Sequence, residues 1–125
     1  MTLSVLVIEG DETVAGFLCE VFSKQGWDVH VPRDGPGVAD ALLGGRHFDI
    51  ITVSYRFPAT NGVEIIRLVR EIEHRKGTPV LMVTGGPEVT GEALEAGANE
   101  VLYKPVEPRR LVEAVTKHSL ATVAP

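Results

Sequence analysis

Cysteine is nearly missing from this chain. Cys19 is the single one among 125 residues, so no intramolecular disulfide can form, and a reducing, cytoplasmic setting is expected. Long apolar runs are missing as well: none approaches the roughly 18–20 residues of a membrane span, and Met1-Thr2-Leu3-Ser4 lacks the basic region and cleavage site of a secretory signal. A basic excess is also lacking. The net charge is −5, which speaks against nucleic acid as a direct partner of this domain. His30, His47, His74 and His118 fall on different predicted elements, and none has metal-ligand spacing with another. Neither a GxGxxG stretch, a P-loop nor a Ser-His-Asp arrangement occurs. The expectation is therefore not an enzyme.

What is present is an alternation of two hydrophobic periods over a length that suits one domain with one core. Val5-Leu6-Val7-Ile8 is a wholly apolar β-branched run, as expected for a strand covered on both faces. Val14, Phe17, Leu18, Val21 and Phe22 then follow helical spacing, with Asp11 or Thr13 placed to cap the start and Gly26 the end. Asp28 to Val31 reads as a second strand. A short helix through Val38, Ala41 and Leu42 stops at Gly44-Gly45. Ile50 to Val53 is a third strand, and Ile65, Ile66, Val69 and Ile72 line a helix expected to end at Gly77. Pro79 to Val83 reads as a fourth strand, Val89 to Ala96 as a weak helix before Gly97, and Val101-Leu102 lies in a fifth strand. Pro108 suits the first turn of a last helix carrying Leu111, Ala114 and Val115. The pattern predicts an α/β fold of five βα units, a doubly wound parallel sheet with helices on both faces, over residues 1–120, with 121–125 as a loose tail. Ligands of such sheets bind beyond the carboxyl ends of the strands. There lie Glu9-Gly10-Asp11, Ser54 to Asn61, Thr84-Gly85-Gly86 and Lys104-Pro105.

Those loops carry a resemblance that spans roughly Leu3 to Leu120. Val7-Ile8-Glu9-Gly10-Asp11-Glu12, Ser54 through Pro58 to Gly62, Val83-Thr84-Gly85, and Glu95-Ala96-Gly97-Ala98 followed by Lys104-Pro105 resemble, in order and spacing, the four motifs of a response-regulator receiver domain of two-component signalling. The resemblance implies the CheY-like, flavodoxin-like three-layer sandwich. It implies that Ser54 stands where the family has its phospho-acceptor aspartate, that Thr84 matches the switch hydroxyl, and that Lys104 matches the phosphate-binding lysine. It also implies a cis peptide bond before Pro105. Two adjacent carboxylates bind Mg²⁺ in the family; Glu9 matches the first, Gly10 falls on the second, and Asp11 lies one residue on. Asp11 either substitutes as a metal ligand or caps the first helix. The switch aromatic three residues before the lysine is Val101 here, so the family's Thr–aromatic coupling looks broken, although Tyr103 adjoins Lys104.

Three readings of Ser54 stay open: a pseudo-acceptor kept for interaction, a serine phosphorylated in its own right, and a strand-end hydroxyl bonded to the backbone. Thr84 is either the switch hydroxyl or an ordinary strand-end threonine. Arg56 is either a second cation near the pocket or a solvated loop residue, and Thr84-Gly85-Gly86 offers a backbone nest for an anion. With no aspartate to bind, Lys104 is expected to pair with Glu9 and to bond to Ser54. The function expected is a pseudo-receiver that acts by protein–protein contact, with a histidine kinase or effector domain as partner and a homodimer through the last two βα units (88–96, 101–103, 109–118). No cofactor is expected. The alternatives are a small anion- or nucleotide-sensing domain built on the altered pocket, and residual Mg²⁺-dependent phosphorylation held by Glu9 and Asp11.

Overall fold

The computed structural model describes residues 2–123. Strands β1 (Ser4–Ile8), β2 (Asp28–His30) and β3 (Ile50–Val53), with β6 (Val80–Thr84) and β7 (Glu100–Tyr103), form one parallel sheet in the order β2-β1-β3-β6-β7. Helices α1 (Glu12–Lys24), α2 (Gly35–Leu43), α3 (Gly62–Glu71), α4 (Thr90–Ala96) and α5 (Pro108–Val123) connect and cover it. The side-chain alternation of a strand explains the two cores. Leu6, Ile8, Ile51, Val53, Val80 and Met82 point to one face and pack with Leu42, Ile66, Val69 and Ala93 of α2, α3 and α4. Val5, Val7, Ile50, Leu81, Val83 and Leu102 point to the other and pack with Leu18, Phe22, Leu111 and Val115 of α1 and α5. The expected α/β architecture is thus the observed one.

The helix starts follow local chemistry. Asp11 caps α1 by accepting from the amides of Thr13 (2.9 Å) and Val14 (3.1 Å). Asp34 caps α2 through Gly37 N–H at 2.8 Å, and Asn61 caps α3 through Glu64 N–H at 3.0 Å. Each side chain satisfies donors that the first helical turn leaves unpaired. Gly97, at φ 120°, takes the left-handed position that ends α4.

Three details differ from the sequence expectation. Helix α3 ends at Glu71, not at Gly77, because Ile72 is extended (φ −81°, ψ 119°) and its carbonyl accepts from Arg75 and Lys76 in a turn. Ile72 still packs on the core from that backbone, which is why the helical spacing misled. A small antiparallel pair, β4 (Arg56–Phe57) and β5 (Thr60–Asn61), lies within what reads as one loop. Finally, α5 runs through Val123, three residues into the stretch expected to be a tail; positions 124–125 of that tail lie outside the described residues.

Two polar contacts tie the frame together. Arg75 is 2% exposed, and its guanidinium donates to the carbonyls of Leu42 (2.9 Å), Ala41 (3.0 Å) and Gly44 (2.8 Å). It also lies over the Phe48 ring, 5.0 Å from the centroid. A buried cation is tolerated there because it satisfies the free carbonyls and the negative pole of the α2 C-terminus. Burial lowers its pKa from the ordinary arginine value, and an arginine stays charged regardless. On the opposite edge, Glu100 of β7 accepts from His118 Nε2 at 2.8 Å and pairs with Arg110, both from α5.

Arg75→Met should cost about 2–4 kcal/mol, since the buried Leu42 carbonyl and the partly buried Ala41 and Gly44 carbonyls lose a charged donor; chemical denaturation measures it. The Glu100 contact predicts a pH dependence. Burial alone would raise its pKa, but the hydrogen bonds and charges of His118 and Arg110 outweigh this and hold it below the ordinary carboxylate value. A depressed carboxylate stabilises fully above its unfolded pKa and loses that contribution as pH falls through the folded value. The stability gap between wild type and Glu100→Gln should therefore shrink as pH falls through and below the ordinary carboxylate range. Denaturant midpoints across that range test it.

Candidate functional site

The carboxyl ends of β1, β3, β6 and β7 bring Glu9, Ser54, Thr84 and Lys104 to one edge of the sheet, as expected from strand order. Ser54 follows β3, and its amide donates to Ile8 O at 3.0 Å, which holds the acceptor loop against the first loop. Lys104 follows β7, and its amide donates to Thr84 O at 2.7 Å. The Lys104-Pro105 peptide is cis, as expected.

The central contact is an ion pair. Lys104 Nζ lies 3.0 Å from Glu9 Oε1, with side-chain exposures of 28% and 3%. Glu9 Oε1 meets no donor at hydrogen-bonding angles, so the attraction is chiefly Coulombic. Glu9 Oε2 accepts from the Asp11 amide at 3.0 Å. The expected Lys104–Glu9 pairing is present. The expected bond from Lys104 to Ser54 is not among the contacts: Ser54 Oγ donates instead to the carbonyl of Arg56 at 3.0 Å, and Ser54 is 2% exposed. A short strand-end side chain reaches a carbonyl two residues away more readily than a group across the cleft. Asp11, the other candidate metal ligand, uses its Oδ1 on the α1 amides of Thr13 and Val14.

The donor set can be compared with what Mg²⁺ needs. That ion takes near-octahedral oxygen ligands, usually one or two carboxylates with phosphate and water. Here Glu9 is the one carboxylate at the matched positions; Lys104 sits on one of its oxygens and the Asp11 amide on the other. Gly10 brings no ligand, and Ser54 Oγ is engaged. These residues do not fit Mg²⁺. Among the described residues no group of three or more His, Cys, Asp or Glu side chains is placed to hold a metal.

The remaining candidates are placed as follows. Thr84 is buried, and its Oγ1 accepts from Gly86 N–H at 3.4 Å. That amide is therefore turned toward Thr84. Val101 is half-buried, in register with Met82, and packs on the α3 side of the core. Tyr103 is exposed, in register with Thr84, yet its hydroxyl lies 2.6 Å from Thr90 Oγ1 of α4. An aromatic–threonine contact thus exists, between a tyrosine and a threonine that sequence reasoning had not paired. Arg56 lines a cleft of about 530 Å³ with Tyr55, Thr84, Gly85, Glu88 and Lys104.

Sequence reasoning also missed the role of Gly62. A Cβ there would stand 2.3 Å from Ser54 O and 2.8 Å from Met82 Cε, so α3 can start this close to the acceptor loop only on glycine. Nothing in the spacing of residues around Gly62 signals that close approach.

With that geometry in place, comparison with known proteins is direct. The model of the family described as "Response regulator receiver domain" matches residues 5–116. Protein PetR of Rhodobacter capsulatus is 33% identical over 110 residues, 86% of this chain and 45% of its own length. The DNA-binding response regulator MtrA of Mycolicibacterium paratuberculosis is 29% identical over 117 residues, 92% of this chain and 50% of its own length. The chain thus spans about half the length of these curated relatives. A crystal structure of a response regulator from Chloroflexus aurantiacus superposes with a TM-score of 0.89 at 28% identity, covering 96% of this chain and 99% of that one.

The ion pair makes a stability prediction. Lys104→Met strands a buried carboxylate and should cost about 2–4 kcal/mol. Adding Glu9→Gln to that variant should recover much of the loss. A double-mutant cycle by urea denaturation measures the coupling, and additive costs would show that the two groups do not interact.

Proposed function

The chain belongs to the response regulator receiver domain family, and on that premise we propose that it works as a pseudo-receiver. It passes a signal by protein–protein contact, without phosphoryl transfer to the residue that closes β3. The observation that carries this reading is the internal use of the site's polar groups: Ser54 Oγ is given to Arg56 O, and Lys104 to Glu9. A serine hydroxyl needs a neighbouring base and a positioned phosphoryl donor to become an acceptor. Lys104 already neutralises Glu9, and the Ser54 hydroxyl is held by a carbonyl, which is no base for it.

A protein partner suits the outer surface. Leu94 (49% exposed), Tyr103 (44%) and Leu120 (45%) lie on the last two βα units, the face proposed for a second copy or an effector domain. Helix α4 spans seven residues with Ala93 as its buried residue, and weakly anchored elements move most readily. A histidine kinase or an effector domain is the proposed partner class, in a cytoplasmic setting. No helix among the described residues is long and apolar enough to cross a membrane. A second reading, the binding of a small anion, is favoured by the 530 Å³ cleft with Lys104 and Arg56 on its wall; a thermal shift with a nucleotide or inorganic phosphate would support it over the first.

Incubation with Mg²⁺ and a small-molecule phosphodonor should leave the intact mass unchanged, where a phosphoryl group would add about 80 Da. Ser54→Asp alone should also stay largely unlabelled, because Gly10 supplies no second carboxylate and Lys104 remains on Glu9. Stoichiometric labelling of the wild type at Ser54 would overturn the pseudo-receiver reading; stoichiometric labelling of Ser54→Asp would show that one residue accounts for the loss.

A further inference from the structure

The Arg56 carbonyl faces two ways. It accepts the Ser54 hydroxyl at 3.0 Å, and it lies only 3.2 Å from where a Cβ on Gly10 would stand. Pro58 Cδ and Phe57 Cα are next, at 3.5 and 3.7 Å from the same point. The acceptor loop has therefore settled into space that any side chain at position 10 would contest. Two sequence features that look unrelated, a glycine in the first loop and a serine at the end of β3, meet on one oxygen.

We infer that Ser54 is a latch: its hydroxyl proton holds the loop Tyr55–Phe57 closed over Gly10 by taking up the Arg56 carbonyl. The contact is partly buried, and a backbone oxygen partly shielded from water gains from a donor. Ser54 supplies that donor from within the chain, as Lys104 supplies the counter-charge of Glu9. Closure thus needs no metal.

The loop has the character of an element that opens. Its ladder is two residues a side, Arg56 with Asn61 and Phe57 with Thr60, and so short a hairpin has little stability of its own. Ala59 sits at its turn with φ 66°, a left-handed conformation that non-glycine residues adopt at a cost. Phe57 is buried and anchors the far side, and Gly62 N–H donates to Tyr55 O at 2.7 Å. The Ser54 bond therefore weighs heavily in the open–closed balance. The latch concerns the loop's own geometry, so it stands whether or not any residue of the site accepts a phosphoryl group.

Limited trypsin digestion of the native chain tests it, read by mass spectrometry at the Arg56–Phe57 bond. Cleavage of a native loop tracks the population of its open form. Ser54→Ala, which removes only the hydroxyl, should raise the rate at that bond about five- to tenfold. Gly10→Ala should raise it too, and the double variant should be cut no faster than the faster single one. Gly16→Ala, on a helix position with open space around the added methyl, should cut like wild type. Amide exchange at Gly62 should quicken in Ser54→Ala. Mg²⁺ or a chelator should leave the wild-type rate unchanged. An unaltered rate in Ser54→Ala, a parallel rise at all tryptic sites, or closure that depends on Mg²⁺ would each overturn the latch.

Discussion

A parallel sheet with both faces buried is the constraint from which the rest of this molecule follows. Each central strand must be apolar on both sides, so polar groups are confined to its ends. Val5 to Ile8, Ile50 to Val53 and Val80 to Val83 meet that demand. Thr52, buried within β3, is the one polar exception on these three stretches. Crossovers then place α1 and α5 on one face and α2, α3 and α4 on the other. Every group able to do polar chemistry is pushed to a rim, and the carboxyl-end rim holds Glu9, Ser54, Thr84 and Lys104.

At both rims, burial is made tolerable by internal neutralisation. Arg75 enters the protein at the far end because the α2 carbonyls receive it. Glu9 is buried at the near end because Lys104 and the Asp11 amide receive it. In each case the chain supplies the partner that solvent or a bound ion would otherwise provide, and the cost of desolvating a charge is offset within a few ångströms. The site edge is therefore a set of internally paired groups beside a cleft, with the exposed Arg56 on its wall.

Much of this was legible along the chain. The strand runs and the helix cap Asp11 are local patterns, while the cis bond before Pro105 and the Lys104–Glu9 pairing were expected from the resemblance to receiver domains. What was not legible depended on backbone path. Ile72 keeps helical spacing while leaving the helix. The hydroxyl of Tyr103 reaches Thr90, not Thr84, because a side chain at the exposed edge of β7 leans toward α4. Arg75 reads as one more charge in a polar stretch, and only the position of α2 makes it a buried cap.

The sequence by itself determined which residues could occupy the site, since strand order and loop spacing leave few choices, and its resemblance to receiver domains implies that Gly10 and Ser54 stand where that family has carboxylates. Only the tertiary structure decided what those replacements do. Whether Ser54 faces Lys104 or its own loop depends on where a backbone carbonyl two residues on comes to rest, and that is set by Phe57 in the core, Gly62 at the start of α3 and the missing side chain at Gly10. A hydrogen bond to a carbonyl is a matter of tenths of an ångström, and residue type carries no such information until the chain has packed.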